Sequence, residues 1–196
     1  MKELLRLTRV VDRLNTGIGE AMSWAILLVV LLSTGNAIFR KVFSMGSNAA
    51  LELQLYLFAA IFLLNGGYTL LRNEHIRIDV LFVRLSERVR LWIDILGILF
   101  FLLPMAAMTA WMTLPMLVRT YVGAERSASE GGLLLWPAWA LVVAGFVLLI
   151  LQALAELVKR AAQLQGIPVA PPPGAPGKDL DPLAALMQER KDGEVK

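Results

Sequence analysis

LRNEHIRIDVLFVRLSERVRLWIDIL, residues 71–96, holds five arginines, the sole histidine and four acidic residues between two long uncharged runs. Outward from it, four stretches contain no Asp, Glu, Lys or Arg: residues 21–39, 53–71, 95–118 and 131–155. A helix that crosses a hydrocarbon core of about 30 Å needs roughly 20 residues, and each stretch is of that order or longer. Lipid offers the backbone no hydrogen bonds, so runs this continuously apolar must be helices. Hydrophobic residues at 57%, charged residues at 18% and a mean hydropathy of +0.64 place the whole chain in the same class. The expected fold is all-α. It is an integral membrane protein with four transmembrane helices over about residues 20–40, 51–71, 91–118 and 134–157, with short interfacial helices besides.

Lys and Arg near the crossings set orientation. Lys2, Arg6, Arg9 and Arg13 precede the first crossing, and Arg72, Arg77, Arg84, Arg88 and Arg90 lie between the second and third. Lys159 and Arg160 follow the fourth, whereas the other two connections carry only Arg40 with Lys41 and Arg119 with Arg126. Both termini and the quoted stretch therefore belong on the cytoplasmic side. The first crossing is longer than a signal core and has no good small-residue cleavage site, so it is read as uncleaved. The net charge of +3 follows from this asymmetry, and no basic folded face suggests nucleic acid. With no cysteine and one histidine, thiol chemistry and multi-histidine metal sites are excluded.

Residues 1–19 form an amphipathic cytoplasmic lead-in, Leu4, Leu5, Leu7, Val10, Val11 and Leu14 interleaving with the basic residues, expected to lie on the membrane surface before turning in. Residues 20–160 are the four-span membrane domain, and 161–196 a Pro-rich linker and cytoplasmic tail, with one short helix near Asp181-Pro182. Ile78, Leu81, Phe82 and Leu85 predict a short surface helix with Asp79 as its cap, and Ser86 is placed to open the third crossing. Pro104 and Pro115 each remove a backbone donor and free the carbonyls of Phe100 and Trp111, which predicts bends. Trp24 and Trp92 at the inner surface and Tyr121, Trp136 and Trp139 at the outer one read as interfacial anchors. Loop 119–132 ends in a glycine pair read as flexible, and Pro137 suits a first helical turn. Asn36, Asn65 and Gln152 serve either packing within the bundle or contact with a partner subunit. Glu20, Glu52 and Asp94 fall near helix ends, so no ionisable residue sits at mid-membrane, where ion-coupled carriers usually need one.

The order of features in SNAALELQLYLFAAIFLLNGGYTLLRNEHIRIDVL, residues 47–81, resembles the small, DctQ-type membrane subunit of tripartite ATP-independent periplasmic (TRAP) transporters. The likeness rests on Glu52 followed by Tyr56-Leu57, then Gly66-Gly67, Arg72 and His75-Ile76-Arg77-Ile78-Asp79. It continues through Arg84-Leu85, Arg88, WIDIL at 92–96 and SASEGGL at 127–133, covering about residues 10–160. The resemblance implies a subunit of the bacterial cytoplasmic (inner) membrane that is not an enzyme and has no catalytic, cofactor-binding or metal residues. Its expected partners are the lipid bilayer, a large multi-span permease carrying the substrate and sodium sites, and a periplasmic protein delivering an organic anion; nucleic acid is not among them. Glu52, Tyr56, Gly66, Gly67, Arg72, His75, Arg77, Asp79 and Arg84 are then candidates for the subunit interface or for bracing the loop. Arg119, Glu125, Arg126 and Glu130 are candidates for docking the periplasmic partner. The alternative is a self-contained four-helix channel or sensor.

Overall fold

The computed structural model describes residues 2–43, 48–72, 86–129 and 132–167, and these are almost wholly helical. Helix α1 spans Lys2–Phe43 and α2 Asn48–Arg72. Helix α3, Glu87–Gly97, runs through a π-helical turn, Ile98–Leu102, into α4, Leu103–Val122, and α5 is Trp136–Leu164. Among the described residues, four helical segments are long and apolar enough to cross a membrane, with α3 to α4 forming the third. The expected all-α, four-crossing architecture is what the chain adopts. The surface helix expected at 78–85 and the tail helix near residue 181 lie outside the described residues.

Helix α5 is the hub. It packs against α1, α2, α4 and the foot of α3, while α1 also lies along α2. Small residues make its closest approaches, and Leu70 and Ile98 pack on Ala153 between them. A Cβ at Gly145 of α5 would lie 2.7 Å from the Leu63 carbonyl oxygen of α2, so these two backbones touch. Helix α4 turns Ala106, Ala110, Thr113 and Thr120 inward, positions that recur on one helical face. Of the two small-residue pairs visible in the sequence, Ala106/Ala110 is thus interior, whereas Ala144 of the Ala140/Ala144 pair is exposed. Large apolar side chains point outward, Phe62 at 75% exposed and Trp111 at 77%. A soluble protein does the reverse; in lipid, helices associate by close packing and hydrogen bonds because the tails are as apolar as leucine.

The expected lead-in over residues 1–19 does not turn away from the first crossing. Helix α1 is continuous for 42 residues, about 63 Å at 1.5 Å per residue, twice the hydrocarbon thickness. Its first turns stay in line because their polar face docks on α5, as the site geometry shows. Pro104 breaks the register as its missing donor requires: just before it, the Leu103 N–H bonds the Ile98 carbonyl five residues back, widening one turn. Pro115 sits within α4 with no change of helix type. Ser86 does stand at the N-cap of α3, but its side chain makes no capping bond; its carbonyl accepts from the Arg90 N–H at 3.1 Å.

Candidate functional site

At the end of the bundle where α1 begins and α5 ends, two helices present polar faces of identical spacing. Thr8, Asp12, Asn15 and Thr16 of α1 and Gln152, Glu156, Lys159 and Arg160 of α5 each fall at i, i+4, i+7 and i+8, and all eight are buried. The Gln152 amide is the link. It accepts from Asn15 Nδ2 at 2.8 Å and donates to Asp12 Oδ1 at 2.9 Å and to Glu156 Oε1 at 3.3 Å. Lys159 Nζ reaches Asp12 Oδ1 at 3.0 Å and also pairs with Glu156. Arg160 pairs with Asp94 of α3 and lies 3.7 Å from Glu156 Oε2.

Taking such ions out of water costs several kcal/mol apiece, offset only by good pairing and further hydrogen bonds. The cluster supplies both, and its charges are spent on one another. No group of three or more His, Cys, Asp or Glu able to hold a metal ion occurs among the described residues. What the arrangement does is fasten three helices: it ties α1 and α3 to α5 by bonds between residues far apart in sequence.

The opposite end holds a different device. Glu52 Oε2 of α2 accepts from the Leu133 N–H at 2.7 Å, with the Ser127 and Ser129 hydroxyls beside the same carboxylate. One turn on, the Tyr56 hydroxyl donates to the Leu134 carbonyl at 3.1 Å. The loop between α4 and α5 is itself ordered by an antiparallel bridge of Arg126 with Leu134 and by bonds from Ser127 N–H to the Leu133 carbonyl and from Leu135 N–H to the Glu125 carbonyl. The expected flexibility does not hold at Gly132. A Cβ there would stand 2.6 Å from the Ser127 carbonyl oxygen, so glycine is required by close packing. Tyr121 and Trp136, both read as anchors, meet edge-on at 5.6 Å and join α4 to α5 beside this loop.

This tether makes a direct prediction. With Glu52→Ala, the loop loses its main side-chain acceptor, and trypsin should cut after Arg126 several-fold faster in sealed, correctly oriented membranes. Unchanged cleavage would mean that the loop holds itself.

The structure separates the remaining sequence candidates. Gly67 is buried where a Cβ would collide with the Asn15 amide, whereas Gly66 faces a groove. Arg72 Nε donates to the Tyr68 hydroxyl at 3.0 Å, with its guanidinium 5.2 Å from the Tyr68 ring centre. Arg119 and Glu125 form an exposed pair at 3.1 Å, and Arg126 is exposed. His75, Arg77, Asp79, Arg84 and Glu130 lie outside the described residues. Gln152 serves internal packing, being fully buried. Sequence reasoning missed the cluster: Asp12, Asn15 and Glu156 were not singled out, and Lys159 and Arg160 served only as orientation markers. The matched polar spacing on α1 and α5 was the available signal.

Four apolar crossings, joined at one end by a self-paired ionic cluster and at the other by a tethered loop, define a multi-pass membrane protein of helical type. Residues 6–163 match the family model described as the DctQ component of tripartite ATP-independent periplasmic transporters, and the chain belongs to that family. No curated protein and no solved structure matches the chain.

Proposed function

We propose that this chain is the non-catalytic small permease subunit of a TRAP transporter in the bacterial cytoplasmic membrane. It supports a large permease subunit in the ion-coupled uptake of an organic anion, a dicarboxylate, oxo acid or related compound. A periplasmic binding protein delivers the anion, and the substrate and sodium sites belong to the large subunit. The observation that carries this reading is the family match across the whole four-helix bundle. The chemistry of the chain supports it: its buried charges pair with one another at one end, and residues 53–71 and 95–118 contain none. A carrier usually keeps ionisable groups along its pathway.

On the periplasmic side, Arg119, Glu125, Arg126 and Glu130 form the surface on which the binding protein docks. The Glu52 and Tyr56 tether supports this role, because it holds the loop that carries Glu125 and the exposed Arg126. Reversing the charges of Arg126 and Glu130 should raise the concentration of binding protein needed for half-maximal uptake; unaltered uptake kinetics would remove the docking claim.

The function itself is tested by co-purification and deletion. A large hydrophobic permease and a secreted binding protein should be encoded beside this chain, the permease should co-purify with it in mild detergent, and deletion should abolish uptake. A chain that migrates alone while uptake survives its deletion would overturn the proposal, and ion flux through the purified chain alone in liposomes would replace it with a channel.

A further inference from the structure

Between α2 and α4, over the face of α5, lies an open groove of about 630 Å³. Its walls are Phe62 on one side and Leu102 and Met105 on the other, and its floor includes Gly145, Phe146 and Leu149. Along α2 the positions 62, 65, 66 and 69 form one stripe facing into it. Two features of that stripe have no use inside the chain. The Asn65 side-chain oxygen is buried and meets no donor among the described residues. It sits seven residues before Arg72, about 10 Å up the helix from that charge, where neither water nor headgroups supply one. Gly66 is equally unexplained. A Cβ there would meet only Leu149 Cδ1, at an ordinary 4.0 Å, whereas Gly19, Gly67 and Gly145 each exclude a Cβ by collision with the chain's own atoms; Gly17, Gly35 and Gly97 are also open, but of these four Gly66 is the one that lines the groove. Beside the buried Asn65 oxygen and within the groove, that open glycine leaves bare backbone that another helix can approach.

We infer that this groove receives a transmembrane helix of the large permease subunit, which lays its backbone against Gly66 and presents a hydrogen-bonding side chain, such as Ser, Thr, Asn or Gln, to the Asn65 amide as that side chain turns toward the groove it lines. The inference rests on the subunit reading above. An acyl chain has no donor and gains nothing from a bare glycine, whereas close approach plus an interhelical hydrogen bond is how helices recognise one another in lipid. A second copy of this chain fits poorly in a two-fold pair, which would set one concave groove against another. Of the adjacent glycines, Gly67 therefore serves α1 and Gly66 serves the partner.

The test uses the full chain expressed with the permease encoded beside it. Asn65→Leu and Gly66→Leu should each lower recovery of the permease roughly tenfold, the scale of one lost hydrogen bond with its close packing, with no fall in the melting temperature of the small subunit alone. A photoreactive benzoylphenylalanine in place of Phe62 should cross-link to the permease. Full recovery with both variants overturns the groove assignment, as does cross-linking only to lipid or to a second copy of this chain. Failure of the unsubstituted chain to recover any permease would instead count against the subunit reading itself, which separates the two.

Discussion

Lys159→Met is expected to cost about 3–5 kcal/mol of stability, because removing one partner of a buried charge network strands the others. Lys159 is 7% exposed and is the only cation paired with Asp12 among the described residues. Without it, both carboxylates keep the Gln152 amide as a shared donor and Glu156 keeps Arg160 at 3.7 Å, but Asp12 loses its cation in a low-dielectric site beside a second carboxylate. The measurement is the melting temperature of the purified subunit in detergent, followed by its abundance in membranes. The double variant Asp12→Asn with Lys159→Met separates pairing from simple shape change. It removes the opposite charges together while an amide oxygen can still accept from Gln152, so it should recover most of the loss. A double variant no more stable than the single one would mean that Lys159 acts by packing alone. Because both groups are buried, added salt should change these differences little.

The crossings were legible because lipid imposes a simple length and composition requirement, which residues 53–71 and 95–118 meet openly. The cluster was not, for a physical reason. Counting Lys and Arg beside a crossing treats each as a solvated charge, and Lys159 and Arg160 satisfy that count whether they face water or Asp12 and Asp94. Only the partner across the bundle decides, and Asp12 lies more than a hundred residues away in sequence.

The lead-in shows the same limit. Leu4, Leu7, Val10 and Leu14 are indeed exposed, as a surface helix requires. Yet Asp12 and Asn15 occupy the opposite side and hold those turns on α5, so the helix never bends away. At the other end, Glu52 and Tyr56 were identifiable as a pair by their order along the chain. Their contact with Leu133 and Leu134 depends on a loop conformation that no helical period encodes.

Gly145 and Gly66 should respond to substitution with opposite sign, although both are helical glycines beside the same groove. Gly145→Val should destabilise the isolated subunit by about 3 kcal/mol, the upper range for overpacking. The obstacle is the main chain of Leu63, with its carbonyl oxygen 2.7 Å and its carbonyl carbon 2.9 Å from the new Cβ, and main chain cannot rotate aside. Helices α2 and α5 must part, and their separation loosens the contact that organises the bundle. Gly66→Ala meets only the end of Leu149 and should raise the melting temperature, since alanine gains up to about 1 kcal/mol over glycine in a helix interior. A rise at Gly66 with a fall at Gly145 would show that space, not residue type, sets each effect. Equal losses at both would mean that the groove closes in the isolated subunit and that Gly66 packs internally after all. A gain at Gly66 carries the sharper consequence: a glycine that lines the groove and weakens its own helix leaves bare backbone where another helix can lie close, as the groove assignment requires.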